Sequence, residues 1–529
     1  MKMMDQDFDF REMFILDLAN NHQGSVEHGL KIIQSNAQVM KKHSARAAIK
    51  FQFRQLDSFI HPSHQTGSEL KYIQRFQSTR LDHTQFQTLL NEVWANGLLA
   101  MCTPFDEESV QVAVDMGFNI LKVASCSAKD WPLLEEIASA GPPVVCSTGG
   151  LTVEDIDNVV SFFQHRAVQF ALMHCVSVYP TPDDMLALNQ LRMLRNRYPQ
   201  VTIGWSTHEN PGDTIPVQLA VALGAQIFER HIGVETDEIK LNAYSSTPEQ
   251  VDKWLEAHGR ATVLCGALSR PPVSEVEQAS LDGLRRGVFA KRPIKKGHVF
   301  SRDSVYFAMP YIEGQLESGH WKEGYQALQD VLPDQPIMKE SVDIEVNQGV
   351  VTLKQVIHEI KALLNEAKIQ LGSEFKVEYS HHYGLENFRK TGAVIIECIN
   401  REYCKKLVVQ LPGQRHPSHY HARKEETFQI LYGILHVNTD GCPRILHPGE
   451  TILILPGVWH SFWTDTGVIF EEVSTTHYNN DSFYADKRIN KFARSERKTM
   501  VDHWGRFQIT QGQDSPKVDE PVIADPQVP

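Results

Sequence analysis

The sequence predicts an α/β protein: an N-terminal (β/α)8 TIM barrel, a small β-rich module, and an all-β C-terminal domain. Three observations predict it. The first half of the chain carries eight short apolar runs, MFILDLANNH, AAIKFQF, LLAMCTPF, NILKVAS, PVVCSTGG, FALMHCVSVYP, TIGWSTHE and IFERHI, separated by segments of helical length. Parallel strands covered on both faces read as continuous apolar runs, and a βα repeat of this number and total length matches a barrel of roughly 250 residues. Next, Asp17, Lys50, Gln52, Thr103, Lys122, Ser125, Ser147, Tyr179, His208 and His231 stand at the ends of these runs or just beyond them, where such barrels carry their chemistry. Lastly, from Phe375 onward the runs VIIECI, KLVVQL, TFQILYG, ILHVNT and TILILPG are separated by turns, as in a sandwich or small barrel.

The elements follow in order. The barrel runs from about Met13 to Gly266 within a domain of residues 1–280. Ser25 before VEHGLKIIQSNAQVMKK and Thr152 before VEDIDNVVSFF are helix N-caps. The segment RRGVFAKRPIKKGHVFSRDSVYFAMP alternates strand-like runs with turns, a β-rich module at 284–312. Residues 313–371 read as a linker followed by an amphipathic helix, VVTLKQVIHEIKALLNEAKIQL, with apolar positions at three- and four-residue spacing. The C-terminal β domain occupies 372–505. The Pro- and Asp-rich tail, 510–529, has the composition of a disordered segment.

With 52 Lys and Arg against 65 Asp and Glu, the 529-residue chain has a net charge of −13. That argues against nucleic acid or an acidic membrane surface as a partner, because phosphate backbones demand clustered cations. The eight cysteines are scattered with no CxxC, which fits a reducing, cytoplasmic setting. MKMMDQDFDF lacks the apolar core of a signal peptide, and no apolar run is long enough to span a bilayer.

His208 and His231 end neighbouring strands, and neutral imidazoles are common ligands of divalent metals. Lys50 and Lys122 bring positive charge to the same mouth. Thr103, Ser125, Ser147, Ser177 and Ser206 supply hydroxyls for phosphate and carboxylate oxygens. Asp17 is the carboxylate available to orient or deprotonate a water. Any one of these residues alone is more often structural; their concentration at one end of one barrel favours an active site.

LDLANNHQGS, IKFQ, CTPFD, LKVAS, STGG, MHCVSVYPTP, GWSTHE and ERHI together resemble the sialic acid synthase family, and RRGVFAKRPIKKGHVFSRDSVYFAMP resembles its antifreeze-like (SAF) domain. The resemblance covers about the first 310 residues. It implies a transferase that joins phosphoenolpyruvate to an open-chain sugar aldehyde, giving a 3-deoxy-ulosonic acid and phosphate for a surface polysaccharide. It further implies a divalent metal, Mn or Mg, on His208 and His231. Lys50, Thr103, Lys122, Ser125, Ser147, Ser177 and Ser206 are then phosphoenolpyruvate contacts, and Gln52, Tyr179 and Asn242 sugar contacts. A homodimer is implied, the antifreeze-like module covering a partner's barrel. The chain departs from the family pattern at Asp17 and Ser127, each where Glu is usual, at Asn242 where Asp is usual, and at Met309 where Arg is common. On this resemblance the phosphoenolpyruvate half reads as intact, with Ser177 in place of a usual Asn, and the sugar half as rebuilt. The alternative is a sugar-binding or regulatory protein on a synthase barrel that has lost turnover.

HPSHYHARKEETFQILYG and LHPGETILILPGVWHSF carry the cupin pattern: His419-x-His421, Glu426 and His460, beside the turn glycines Gly413 and Gly433. Alternate strand residues share a face, so His419 and His421 point the same way. Three His and one Glu leave open positions on a second divalent metal of unspecified identity. Glu425 is a competing ligand to Glu426. HHYGLENF and IFEEVSTTH resemble cupin sugar isomerases, which implies that the domain isomerises or binds the sugar and that Glu471 or Glu472 is a base.

Overall fold

The computed structural model describes residues 8–343, 348–371, 376–478 and 480–502, so the tail at 510–529 lies outside the described residues. The chain divides into two compact units, Met1–Pro272 and Val273–Pro529.

In the first unit, strands β1 (Met13–Asp17), β2 (Arg46–Phe53), β3 (Leu99–Pro104), β4 (Ile120–Val123), β5 (Val144–Ser147), β6 (Phe170–Cys175), β7 (Thr202–Thr207) and β8 (Ile227–His231) close into a parallel barrel in sequence order. Alternation along each strand sorts its side chains. Ile49, Phe51, Leu121, Cys146, Leu172 and Phe228 face outward and pack with the helices. Met13, Ile15, Ala48, Met101, Ile120, Val145, Ala171, Met173 and Ile227 fill the barrel axis. One or two steps further on, the same inward positions become Asp17, Lys50, Thr103, Lys122, Ser147 and Glu229. The barrel is therefore plugged with apolar side chains below and polar above, which confines the chemistry to the C-terminal mouth.

Both expected caps form. The Ser25 hydroxyl accepts from His28 N at 3.2 Å at the start of helix Val26–Lys42, and Thr152 and Asp155 make a capping box ahead of Val153–His165.

The second unit opens with a small β module, in which Gly287–Ala290 pairs antiparallel with Val305–Ala308. Its core joins Val288, Ala290, Ile294, Phe300 and Val305 to Leu316, Tyr325, Ala327, Val331, Ile337 and Val342. The module therefore does not end at 312. Residues 313–343 are short bridges and turns that complete its core, and their weak periodicity is why they read as a linker. The helix Gln348–Glu366 buries Leu353, Val356, Ile360 and Leu364 against Val377, Tyr379, Ile396 and Val409, which makes it part of the C-terminal domain. That domain is a seven-stranded antiparallel sheet, from Thr451–Ile454 at one edge to Lys498–Asp502 at the other, and a five-stranded one centred on His460–Trp463. Phe428, Ile430, Val437, Phe462 and Phe470 pack between the sheets. All eight cysteines are free thiols. No helix among the described residues is long and apolar enough to cross a membrane.

Candidate active site and metal centres

The barrel register explains how the mouth is assembled. Asp17 is the in-register partner of Lys50 on one side and His231 on the other, and parallel neighbours in register point the same way. Lys50 Nζ lies 2.9 Å from Asp17 Oδ2 and 2.6 Å from Glu229 Oε1, and Glu229 Oε2 lies 3.6 Å from Lys122 Nζ. Lys122 Nζ also donates to the Ser147 hydroxyl. Burial opposes the charge on Lys50, but Asp17 and Glu229 outweigh it and push the ammonium up. Burial likewise opposes the Glu229 carboxylate, and Lys122 and Lys50 pull it down to about 2. Lys50 is thus a fixed cation, and the buried Glu229 carboxylate joins it to Lys122.

Glu229 is a buried acid of the candidate site that the sequence reading did not single out. Its signal was available: it lies two residues before His231 in IFERHI and shares its inward face.

His208 Nδ1 sits 3.0 Å from the Val176 carbonyl, and His231 Nδ1 3.4 Å from Asp17 Oδ2. Both Nε2 atoms are left for another partner. The ring centroids are 5.3 Å apart. Burial, reinforced by His231, pushes His208 down to about 3, and burial lowers His231 as well. Neutral imidazoles with one nitrogen anchored are suited to a divalent metal, so the residues fit the cation expected here.

Asp17 is fully engaged: its Oδ1 accepts from Ala19 N at 2.9 Å, and its Oδ2 faces Lys50, His231 and the Gln52 amide. The hydroxyl of Thr103 is buried without a protein hydrogen-bond partner among the described residues, an opening for a ligand oxygen. Ser125 Oγ accepts from Gly149 N at 3.0 Å. A Cβ at Gly149 would lie 2.5 Å from Ser177 Oγ and 2.7 Å from Ser125 Oγ, so glycine alone lets these hydroxyls close in. Ser206 is buried near the end of β7. The Tyr179 ring packs 4.2 Å from His208. Asn242 spends its side-chain oxygen on Tyr244 N at 3.2 Å, and it is the Tyr244 ring that stands 5.2 Å from His231.

In the C-terminal domain, His419, His421 and His460 form a buried triad that could hold a metal. Each Nδ1 contacts a backbone carbonyl: Pro417 at 3.0 Å, Asp481 at 2.7 Å and Val458 at 3.1 Å. The tautomer those bonds select leaves three Nε2 lone pairs converging. Glu426 is 3.3 Å from both His421 Nε2 and His460 Nε2. His460 Nε2 and Glu426 Oε2 are buried with no hydrogen-bond partner among the described residues; two acceptors face each other, an arrangement a cation reconciles. Glu425 is exposed, so Glu426 is the carboxylate in the site.

Strand alternation also separates the next pair of acids. Glu471 turns outward to Lys405 at 2.6 Å. Glu472 lines one cavity with His419, His421 and Glu426 and pairs with Lys424 at 2.9 Å. Lys424 was not visible as a site residue. Burial opposes its charge, and Glu426 and Glu472 outweigh it and push it up.

Comparison with known proteins agrees with this architecture. Residues 39–267 match the NeuB family and residues 406–471 the cupin domain. The solved structure assigned to spore coat polysaccharide biosynthesis protein E of Chromobacterium violaceum is 47% identical, with a TM-score of 0.61 over 63% of this chain and 100% of that one. The N,N'-diacetyllegionaminic acid synthase of Campylobacter jejuni is 25% identical over 59% of this chain and 98% of its own length. The human N-acetylneuraminate-9-phosphate synthase is 25% identical over 62% and 92%. The chain belongs to the NeuB family of sialic acid synthase-like proteins. It is accordingly a phosphoenolpyruvate-dependent transferase of the nonulosonic acid synthase type, carrying a C-terminal cupin.

Proposed function

We propose that this chain condenses phosphoenolpyruvate with the open-chain aldehyde of a small aldose, releasing phosphate and forming a 3-deoxy-ulosonic acid for a surface polysaccharide. One observation carries the reading: Lys50, Lys122 and Ser147 meet around Glu229 in the same mouth as His208 and His231. Lys50, Lys122, Ser125, Ser147, Ser177 and Ser206 hold the phosphate and carboxylate oxygens, and Thr103 donates its unpaired hydroxyl. Gln52, Tyr179 and Asn242 border the sugar. His208 and His231 are the ligands for a divalent cation, Mn or Mg, which when bound supplies Lewis acidity toward the aldehyde oxygen.

The bond forms between the methylene carbon of phosphoenolpyruvate and the aldehyde carbon. Water adds at the resulting oxocarbenium carbon, and the tetrahedral phosphohemiketal loses phosphate by C–O cleavage. Asp17 orients or deprotonates that water, and the fixed lysines stabilise the departing dianion.

In the cupin, His419, His421, Glu426 and His460 are the ligands we assign to a second divalent metal. Glu472 is the base of a sugar isomerase that supplies the aldose. Carrying both steps on one chain raises the local concentration of the intermediate. The working form is a cytoplasmic homodimer.

The test is incubation with Mn²⁺, phosphoenolpyruvate and a panel of hexoses and hexosamines, assayed for phosphate, with the oligomeric state measured at assay concentration. Sugar-dependent phosphate release by a dimer is expected. Absence of release across the panel sinks the synthase reading and leaves a sugar-binding protein; turnover by a monomer sinks the dimer.

A further inference from the structure

Arg54 is the first residue after β2, and it continues the inward alternation of Lys50 and Gln52. Its guanidinium carbon lies over two aromatic rings, 4.0 Å from the centroid of Phe76, on helix Lys71–Ser78, and 3.6 Å from that of Phe105, just after β3. Packing against two rings restrains the group, whose hydrogen-bond donors lie along its edge. One hydrogen bond uses them, from Nη2 to Gln52 Oε1 at 3.2 Å. Through it Arg54 also sets the amide of Gln52, whose Nε2 points at Asp17 Oδ2 at 3.4 Å.

The charge balance of the mouth singles this residue out. Lys50 is matched by Asp17 and Glu229, and Lys122 by Glu229. No carboxylate among the described residues forms an ion pair with Arg54. Asp57, three residues on, pairs with Arg80 at 2.7 Å, and Asp106 is occupied in accepting from Gln55 N at 2.9 Å and Ser109 N at 2.8 Å. Burial pushes the guanidinium down to about 10, with only weak opposition from Cys126, Asp17 and Asp106. A half-buried guanidinium restrained by two rings, with no carboxylate ion pair among the described residues, presents its edge to an anion with paired oxygens.

The hydroxyl cluster of Ser125, Ser147 and Ser177 belongs to the strands across the mouth, whereas Arg54 is bonded to Gln52, a residue of the sugar side. We propose that Arg54 is an anion-binding residue of the barrel mouth, and that the aldose condensed by this chain carries an anionic group, a carboxylate or a phosphate, which it grips. This rests on the synthase reading above and adds the substrate class to it.

The experiment compares wild type with Arg54→Met, which keeps length and packing, and Arg54→Lys, which keeps charge without the fork. The probes are mannose, glucose and galactose, their 6-phosphates and their uronic acids. Phosphate release is followed against both aldose and phosphoenolpyruvate, and calorimetry measures binding of the same sugars to the phosphoenolpyruvate-loaded protein. At least one anionic sugar should outperform its neutral parent. Arg54→Met should raise KM or Kd for that sugar on the order of 10- to 100-fold, with Arg54→Lys intermediate and the KM for phosphoenolpyruvate unchanged. Preference for the 6-phosphate or the uronic acid tells phosphate from carboxylate.

The inference is overturned if neutral sugars are preferred, if the substitution leaves anionic sugars unaffected, or if it weakens phosphoenolpyruvate instead. Arg54-dependent binding of an anionic sugar without any turnover would keep this inference while removing the synthase reading. Matched thermal unfolding of the three proteins excludes misfolding as the cause of a loss.

Discussion

The two histidines of the barrel mouth come from neighbouring strands and lean on different supports: His208 on the Val176 carbonyl, His231 on the Asp17 carboxylate. In the cupin all three histidines lean on backbone carbonyls. The barrel collects one or two groups from each strand end and joins them through a buried acid, Glu229. The cupin takes its four candidate ligands from one strand pair and one further strand, and its acid, Glu426, faces the histidines directly. The difference shows what each scaffold demands. The parallel barrel gathers single residues from strands far apart in sequence, while the cupin draws its histidines from one pair of antiparallel strands by alternation and its acid, paired with Lys424, from the other sheet.

The sharpest way to break the comparison is to remove one support at a time. If the two histidines hold the cation as proposed, His208→Ala or His231→Ala should lower phosphate release at least about 10³-fold. Steady-state assays with added Mn²⁺ check this, and near-wild-type turnover in both variants means the site is misplaced.

The paired His419→Ala/His421→Ala variant should lose one equivalent of metal per chain by elemental analysis and lose ketose–aldose interconversion. Condensation should persist when the correct aldose is supplied. Loss of both activities in a folded protein, or of neither, removes the isomerase reading.

The smallest contrast is between adjacent acids. Glu472→Gln should slow interconversion on the order of 10²-fold, whereas Glu471→Gln, on the outer face of the same strand, should stay within about twofold, the range expected of a surface change. Equal effects from the two would mean that the cavity is not where the sugar reacts.

Much of this was legible before folding. The eight apolar runs, the helix caps at Ser25 and Thr152, and the His419-x-His421 pattern are local signals, set by burial on both faces, by capping chemistry and by the period of two. The boundary at 312 was not, because the short bridges of residues 313–343 have no period and are defined only by the core they close. Spacing to Gly433 favours Glu426 over Glu425, and burial agrees, whereas Glu471 against Glu472 was left open by residue type and decided by which member faces the cavity.

By itself, then, the sequence determined the barrel, the cupin and the kinds of residue that reach each mouth, because hydrophobic periodicity is written into every strand. Tertiary structure decided which charges meet. Glu229 between Lys50 and Lys122, Lys424 between Glu426 and Glu472, and Arg54 between two phenylalanines without a carboxylate are long-range facts. Coulomb energy in a buried site depends on distances of a few ångströms between strands that the chain brings together only on closing.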